Sequence, residues 1–226
     1  MRLTLSLFAG LLLATSACAA GLADISGKDA NGGLKEALTQ GAGKAVDLLG
    51  KKDGFLGNAK VKIPLPPSVQ KVESVMRSLG MGKKADELIT AMNRAAEAAV
   101  PEAKTLLVNS IKQMSVEDAK AILTGGEDSA TQYFRRTTSG PLTEKFKPMV
   151  KTAMDKVQVA KKYDQFAGKA AGYGLVREED THLENYVTQK TLDGLYLMMA
   201  EEEKAIRKDP LGAAGKMAQK VFGALK

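Results

Sequence analysis

The chain has one cysteine, one histidine and no tryptophan among its 226 residues. With one cysteine no intramolecular disulfide can form, so the fold rests on its apolar core even in an oxidising compartment. One histidine and one cysteine exclude the Cys/His sets that hold structural or catalytic zinc. Calcium loops need alternating Asp or Asn around a central Gly, and no such run occurs. Aromatic residues make up only 5% of the chain, so the core must come from Leu, Val, Ile, Met and Ala. Ten Met and many Ala favour packing between helices over packing between sheets. No apolar run reaches the roughly 20 residues of a membrane-spanning helix, so a transmembrane span is not expected.

What is present begins with an address. Arg2 precedes an apolar run from Leu3 to Ala14, and small residues follow at Ala17 and Ala19. This is the pattern of a signal peptide over residues 1–19, cleaved after Ala19. Cys18 is a candidate for lipidation, but Thr15 stands where a lipoprotein signal places an aliphatic residue. A periplasmic protein is therefore expected ahead of an outer-membrane lipoprotein anchored through Cys18.

The formal charge is +7, spread over separated pairs such as Lys51-Lys52, Lys83-Lys84, Arg135-Arg136 and Lys161-Lys162. Nucleic-acid binding needs a concentrated basic stripe with aromatics, so these read as solvated helix faces. Weak attraction to anionic lipid or polymer surfaces is compatible with that charge.

Residues 20–33 read as a flexible leader, and residues 34–226 as one helical domain. Leu34, Leu38, Ala42, Ala45, Leu48 and Leu49 recur at helical spacing until Gly50. Asp53-Gly54 marks a turn, and Val61 to Leu65 reads as an extended segment crossing the core, since Pro64 lacks a ladder donor. Pro66-Pro67-Ser68 opens a helix that Gly80 closes. Lys83 to Ala99 carries apolar residues over more than half its circumference, leaving Asn93, Arg94 and Glu97 on the remaining face. Pro101 allows a kink or a new start. Ser115 to Asp118 is a capping-box variant opening a short helix that Gly125-Gly126 ends. Another short helix is expected over Ser129–Arg136, broken by Ser139-Gly140-Pro141, and a longer one beyond it kinks at Pro148. Gly168 to Glu179 reads as irregular. A long helix then runs from Asp180 or Thr181 to Lys208, and a closing amphipathic helix carries Leu211, Met217, Val221, Phe222 and Leu225. No repeat of 20–50 residues divides the chain. The expectation is a single all-α bundle of about eight helices.

Catalytic patterns are sparse. Gly80-Met81-Gly82-Lys83-Lys84-Ala85 mimics a dinucleotide fingerprint, but a helix precedes it where a strand is required. Gly43-Lys44 and Gly215-Lys216 lack the upstream glycine of a phosphate loop. No Gly-x-Ser-x-Gly elbow accompanies His182, which reads as an exposed imidazole among acids. One polar position stands out. Leu195, Met199, Glu202 and Ile206 share a stripe, which would place Glu202 against the core. A buried carboxylate must be paired or protonated. Arg94, Arg135 and Arg207 are its candidate partners, and an internal ion pair is the simpler reading.

The stretches Leu34-Lys35-Glu36-Ala37-Leu38, Asp53-Gly54-Phe55, Ile63-Pro64-Leu65-Pro66, Met92 to Glu97 and Ala130 to Phe134 occur in order. Tyr186-Val187-Thr188, Leu192-Asp193-Gly194-Leu195, Glu202-Glu203, Ile206-Arg207 and Asp209-Pro210 follow. Together they resemble the bacterial domain-of-unknown-function family 4197. The resemblance implies an exported helical protein of Gram-negative bacteria and lends no activity, cofactor or site residue.

The functional expectation is a non-enzymatic envelope protein that binds a lipid-like, anionic or protein partner in a groove between helices. No cofactor or metal is expected. Arg94, Glu97, Arg135, Glu202 and Arg207 are the candidate binding or buried polar cluster; the alternatives are a hydrolytic enzyme built on Arg94, Glu97, Arg135 and Glu202, or a purely structural assembly factor.

Overall fold

A computed structural model of the chain describes residues 27–67, 70, 77–78, 80, 82–158, 160–163 and 182–209. The expected signal peptide with Cys18, most of the helix expected to open at Pro66, the stretch 168–179 and the expected closing amphipathic helix lie outside these residues.

Among the described residues the structure is all helical, with six α-helices where about eight were expected. They are α1 (Gly27–Leu49), α2 (Gly82–Ala99), α3 (Ala103–Gln113), α4 (Val116–Thr124), α5 (Ser129–Asp155) and α6 (Leu183–Lys208). A single 3₁₀ turn, Val100–Glu102, joins α2 to α3 around Pro101. The most extensive packing is between α5 and α6, with α1 laid along α6 and α3.

Helix α1 starts seven residues before Leu34, inside the segment read as a leader. Ala30 lies one turn before Leu34 on the same face and is buried with it. That added burial continues the stripe through Ala37, Leu38, Ala42, Ala45, Val46 and Leu49, which is how a glycine-rich start is held in a helix.

The second departure is α5, which runs unbroken through Pro141 and Pro148. An interior proline costs roughly 3 kcal/mol in an isolated helix. Here Phe134, Thr138, Leu142, Phe146, Val150 and Met154 follow one another at intervals of four, all buried. Losing the helix at residue 141 would turn the four stripe residues beyond it out of the core, so tertiary burial overrides the local breaker. Side-chain hydroxyls also bond back along the helix, with Thr138 Oγ1 donating to Phe134 O at 2.6 Å and Thr143 Oγ1 to Ser139 O at 2.8 Å.

Other local readings match the structure. The capping box closes at both ends: Asp118 N donates to Ser115 Oγ, and Ser115 N to Asp118 Oδ2. Gly80 has φ +77° and donates its N–H to Arg77 O, a left-handed helix cap that disfavours a side chain. Val61, Ile63 and Leu65 are buried while Lys62 and Pro64 are exposed, the alternation of an extended segment. In place of a neighbouring strand it has Asn93 of α2. The Asn93 amide accepts from Ile63 N at 2.8 Å and donates to Ile63 O at 2.9 Å. Asn93, read as part of a polar face, is fully buried for that reason.

Candidate functional site

The five polar residues singled out in the sequence do not form one cluster. They fall into four places, and three of these are structural.

The first is the turn after α1. Glu97 is buried, and its Oε1 accepts from the successive amides of Phe55 and Leu56, each at 3.0 Å. Its Oε2 pairs with Arg94 Nη1 at 2.6 Å, and Arg94 Nη2 reaches Asp53 Oδ1 at 2.7 Å. Hydrogen bonds from Glu97 first and Asp53 second hold the Arg94 pKa above its ordinary value. The turn delivers Phe55 into the core, where the ring meets Gly194 of α6. A Cβ on Gly194 would stand 2.8 Å from Phe55 Cε1, closer than carbon atoms pack.

The second is the junction of α4 and α5. Here the buried carboxylate is Glu203, where the sequence stripe pointed to Glu202. Asp128 caps α5 without a side-chain bond, and Glu203 supplies the cap from another helix. Ala130 N and Thr131 N donate to its two oxygens at 2.9 Å each, and Thr131 Oγ1 donates at 2.9 Å. These are the second and third amides of α5, the ones a local cap would satisfy. Arg207, one turn along α6, pairs with Glu203 at 2.9 Å and donates to Ile122 O, in the last turn of α4, at 2.8 Å. One ion pair thus closes the end of one helix and the start of the next. The sequence signal for it was the Glu203–Arg207 spacing of four.

The third is the exposed edge of α5 and α6. Arg135 lies 4.7 Å over the Tyr196 ring and 3.8 Å from Asp193. The Tyr196 hydroxyl is buried against Thr138 Oγ1 at 2.8 Å. His182, at the start of α6, is exposed with Glu184 3.6 Å away. Among the described residues no three His, Cys, Asp or Glu side chains gather at metal-binding distance.

Glu202 occupies the fourth place, on a groove, while Arg94 also borders a 520 Å³ surface depression with Lys83, Asp86 and Glu87. The Glu202 carboxylate pairs with Lys44 at 2.6 Å, at the wall of an 820 Å³ groove between α1 and α6. The groove is lined by small and apolar residues, including Ala37, Gly41, Gly43, Leu48, Ala205 and Ile206. Lys44, Lys104, Asp47, Glu202 and Asp209 also line it, so both signs of charge are present. A Cβ on Gly43 would meet nothing within 4 Å. Packing therefore does not require glycine there, although it weakens the helix by roughly 1 kcal/mol against alanine. A polar cleft of 480 Å³ lies elsewhere, between α3 and α5, beside the Arg136–Asp118 pair.

Residues 24–223 match the family described as a protein of unknown function, DUF4197. The chain belongs to that family. No curated protein and no solved structure matches it. Several stretches that carry the DUF4197 resemblance have a place in the architecture just described. Asp53-Gly54-Phe55 and Leu192 to Leu195 meet at the Phe55–Gly194 contact. Met92 to Glu97 supplies Asn93, Arg94 and Glu97 to the 53–63 segment. Glu202-Glu203 and Ile206-Arg207 divide between the groove and the α4–α5 junction. Membership in the DUF4197 family brings no activity with it.

Proposed function

We propose that the protein is a non-enzymatic binding protein of the cell envelope, taking a single-chain, lipid-like amphiphile in the α1–α6 groove. The observation that carries this reading is the groove itself. Its 820 Å³ falls within the roughly 300–1,000 Å³ of small-molecule sites. The small-residue floor suits an alkyl chain, and Gly43 keeps that floor open at a cost in helix stability. The lysines and carboxylates among its lining residues complement a zwitterionic head, ammonium and phosphate together, better than a purely anionic one. Export of such a protein rests on the signal-peptide pattern of residues 1–19.

The hydrolytic alternative loses its shared centre. Arg94 and Glu97 are engaged by the 53–56 turn, Arg207 by Glu203 and Ile122, and Arg135 by Tyr196 and Asp193. Only Glu202 faces the groove, and it has Lys44 as partner.

The test is native mass spectrometry of the mature protein with lysophosphatidylethanolamine, and with lysophosphatidylglycerol as the anion-only comparison. A one-to-one complex is expected at micromolar lipid, favouring the zwitterion. Gly43→Trp should abolish it, because the new ring would stand in open groove and leave the fold intact. Binding equal in the wild type and Gly43→Trp would place the ligand elsewhere and overturn the reading.

A further inference from the structure

Gly41 of α1 and Ile206 of α6 line the groove. A Cβ added at Gly41 would stand 3.5 Å from Ile206 Cδ1, which an alanine there could accommodate as ordinary van der Waals contact. Three residues of its lining, Ala37, Gly41 and Ile206, also line a second, adjoining space. That space is a 20 Å³ cavity between α1, α5 and α6, with Leu38, Phe134 and Met199 in its walls. Its polar neighbours, Thr131 and Glu203, already bond to each other and to backbone amides. It therefore offers water few free partners, and a recess this small and apolar suits a terminal methyl group better.

Resting on the groove reading above, we propose that Ile206 sets the chain length of the bound amphiphile. The alkyl chain runs along the α1 floor toward Ile206, whose side chain separates the groove from the apolar cavity behind. Trimming Ile206 would merge the two spaces and lengthen the path available to the chain. Each further methylene accommodated raises affinity about fourfold, so the stop should appear as a break in a chain-length series.

The experiment is titration calorimetry of the wild type and of Ile206→Val and Ile206→Ala with lysophosphatidylethanolamines of increasing chain length, each below its micelle concentration. In the wild type, affinity should climb about fourfold per methylene and then level off. In Ile206→Ala the levelling should come about three methylenes later, matching the three carbons removed, and in Ile206→Val at an intermediate length. Gly41→Ala, which adds a methyl in ordinary contact with Ile206, should level off no later than the wild type. Far-ultraviolet circular dichroism checks that each variant keeps its helices. The valine variant carries the test if the alanine variant loosens α6. A wild type that binds while all variants level off at its chain length would overturn the role of Ile206 and leave the groove reading standing. A wild type that binds no chain at all would overturn the groove reading itself.

Discussion

Replacing Glu203 by alanine should destabilise the protein by about 4 kcal/mol, far more than any change at neighbouring Glu202. The wild-type side chain is only 6% exposed. It accepts from two backbone amides and one hydroxyl, and it neutralises Arg207, which is itself 15% exposed. Removing it leaves the amides of Ala130 and Thr131 without an acceptor, each costing about 1–3 kcal/mol when buried. It also strands a largely buried guanidinium, and breaking such a pair from one side costs about 3–5 kcal/mol in total. Glu203→Gln keeps one acceptor oxygen but loses the charge and turns an amide against a donor, for about 2 kcal/mol. Glu202→Gln removes a pair whose lysine is 63% exposed, and should cost less than about 1 kcal/mol. Urea denaturation followed at the helical circular dichroism band gives these differences as midpoint shifts at constant slope. The double variant Glu203→Ala/Arg207→Leu should fall short of additivity by more than about 1 kcal/mol, since the stranded charge disappears while the orphaned amides stay. A Glu203→Ala cost below about 1 kcal/mol, or a Glu202→Gln cost above that of Glu203→Gln, would refute the two-helix cap.

Three further outcomes are expected. Gly194→Ala should destabilise by about 1–3 kcal/mol through its overlap with the Phe55 ring, although alanine is the better helix former; a stabilised variant in the same urea assay would contradict that contact. Asn93→Ala should cost about 2–3 kcal/mol by orphaning both Ile63 backbone groups, and should speed amide exchange at Ile63, whereas unchanged exchange there would count against the bridge. Asp86 is hydrogen-bonded to Arg77, which holds its pKa below the ordinary aspartate range. Its contribution to stability is thus present above the unfolded-state pKa and is lost as pH falls through the lower folded value. A carbon-13 titration should show the low midpoint and its return to the ordinary range in Arg77→Gln; an unchanged midpoint would dismiss Arg77 as the cause.

The fold was legible where one helix contains all the information that decides its state. The stripe in α1, the capping box at Ser115, the left-handed cap at Gly80 and the alternation of Val61, Ile63 and Leu65 are local patterns, and each appears as read. The misreadings share a cause. Ser139-Gly140-Pro141 is a local breaker overruled by six buried side chains at intervals of four, and the start of α1 is held by Ala30 against a core that the leader's composition does not show. In both places a long-range contact outweighs a local preference of a few kcal/mol.

The candidate site was less legible, and the exchange of Glu202 for Glu203 shows why. The two residues sit about 100° apart on α6, no farther than the width of an ordinary apolar stripe. Periodicity alone therefore cannot choose between them. What chooses is the neighbour each one meets. On one side α1 brings small residues and the long, exposed Lys44, which leaves Glu202 beside a groove. On the other side lies the α4–α5 junction, where helix ends expose amides and a carbonyl that need partners. A carboxylate is drawn into the core where such donors wait for it, and Arg207 follows because the carbonyl of Ile122 stands beside them. The apolar residues around a carboxylate do not decide its burial; unsatisfied backbone elsewhere in the chain does. By the same reasoning Glu97 and Asn93, placed by periodicity on a polar face, become core residues because the 53–63 segment has no strand to pair with.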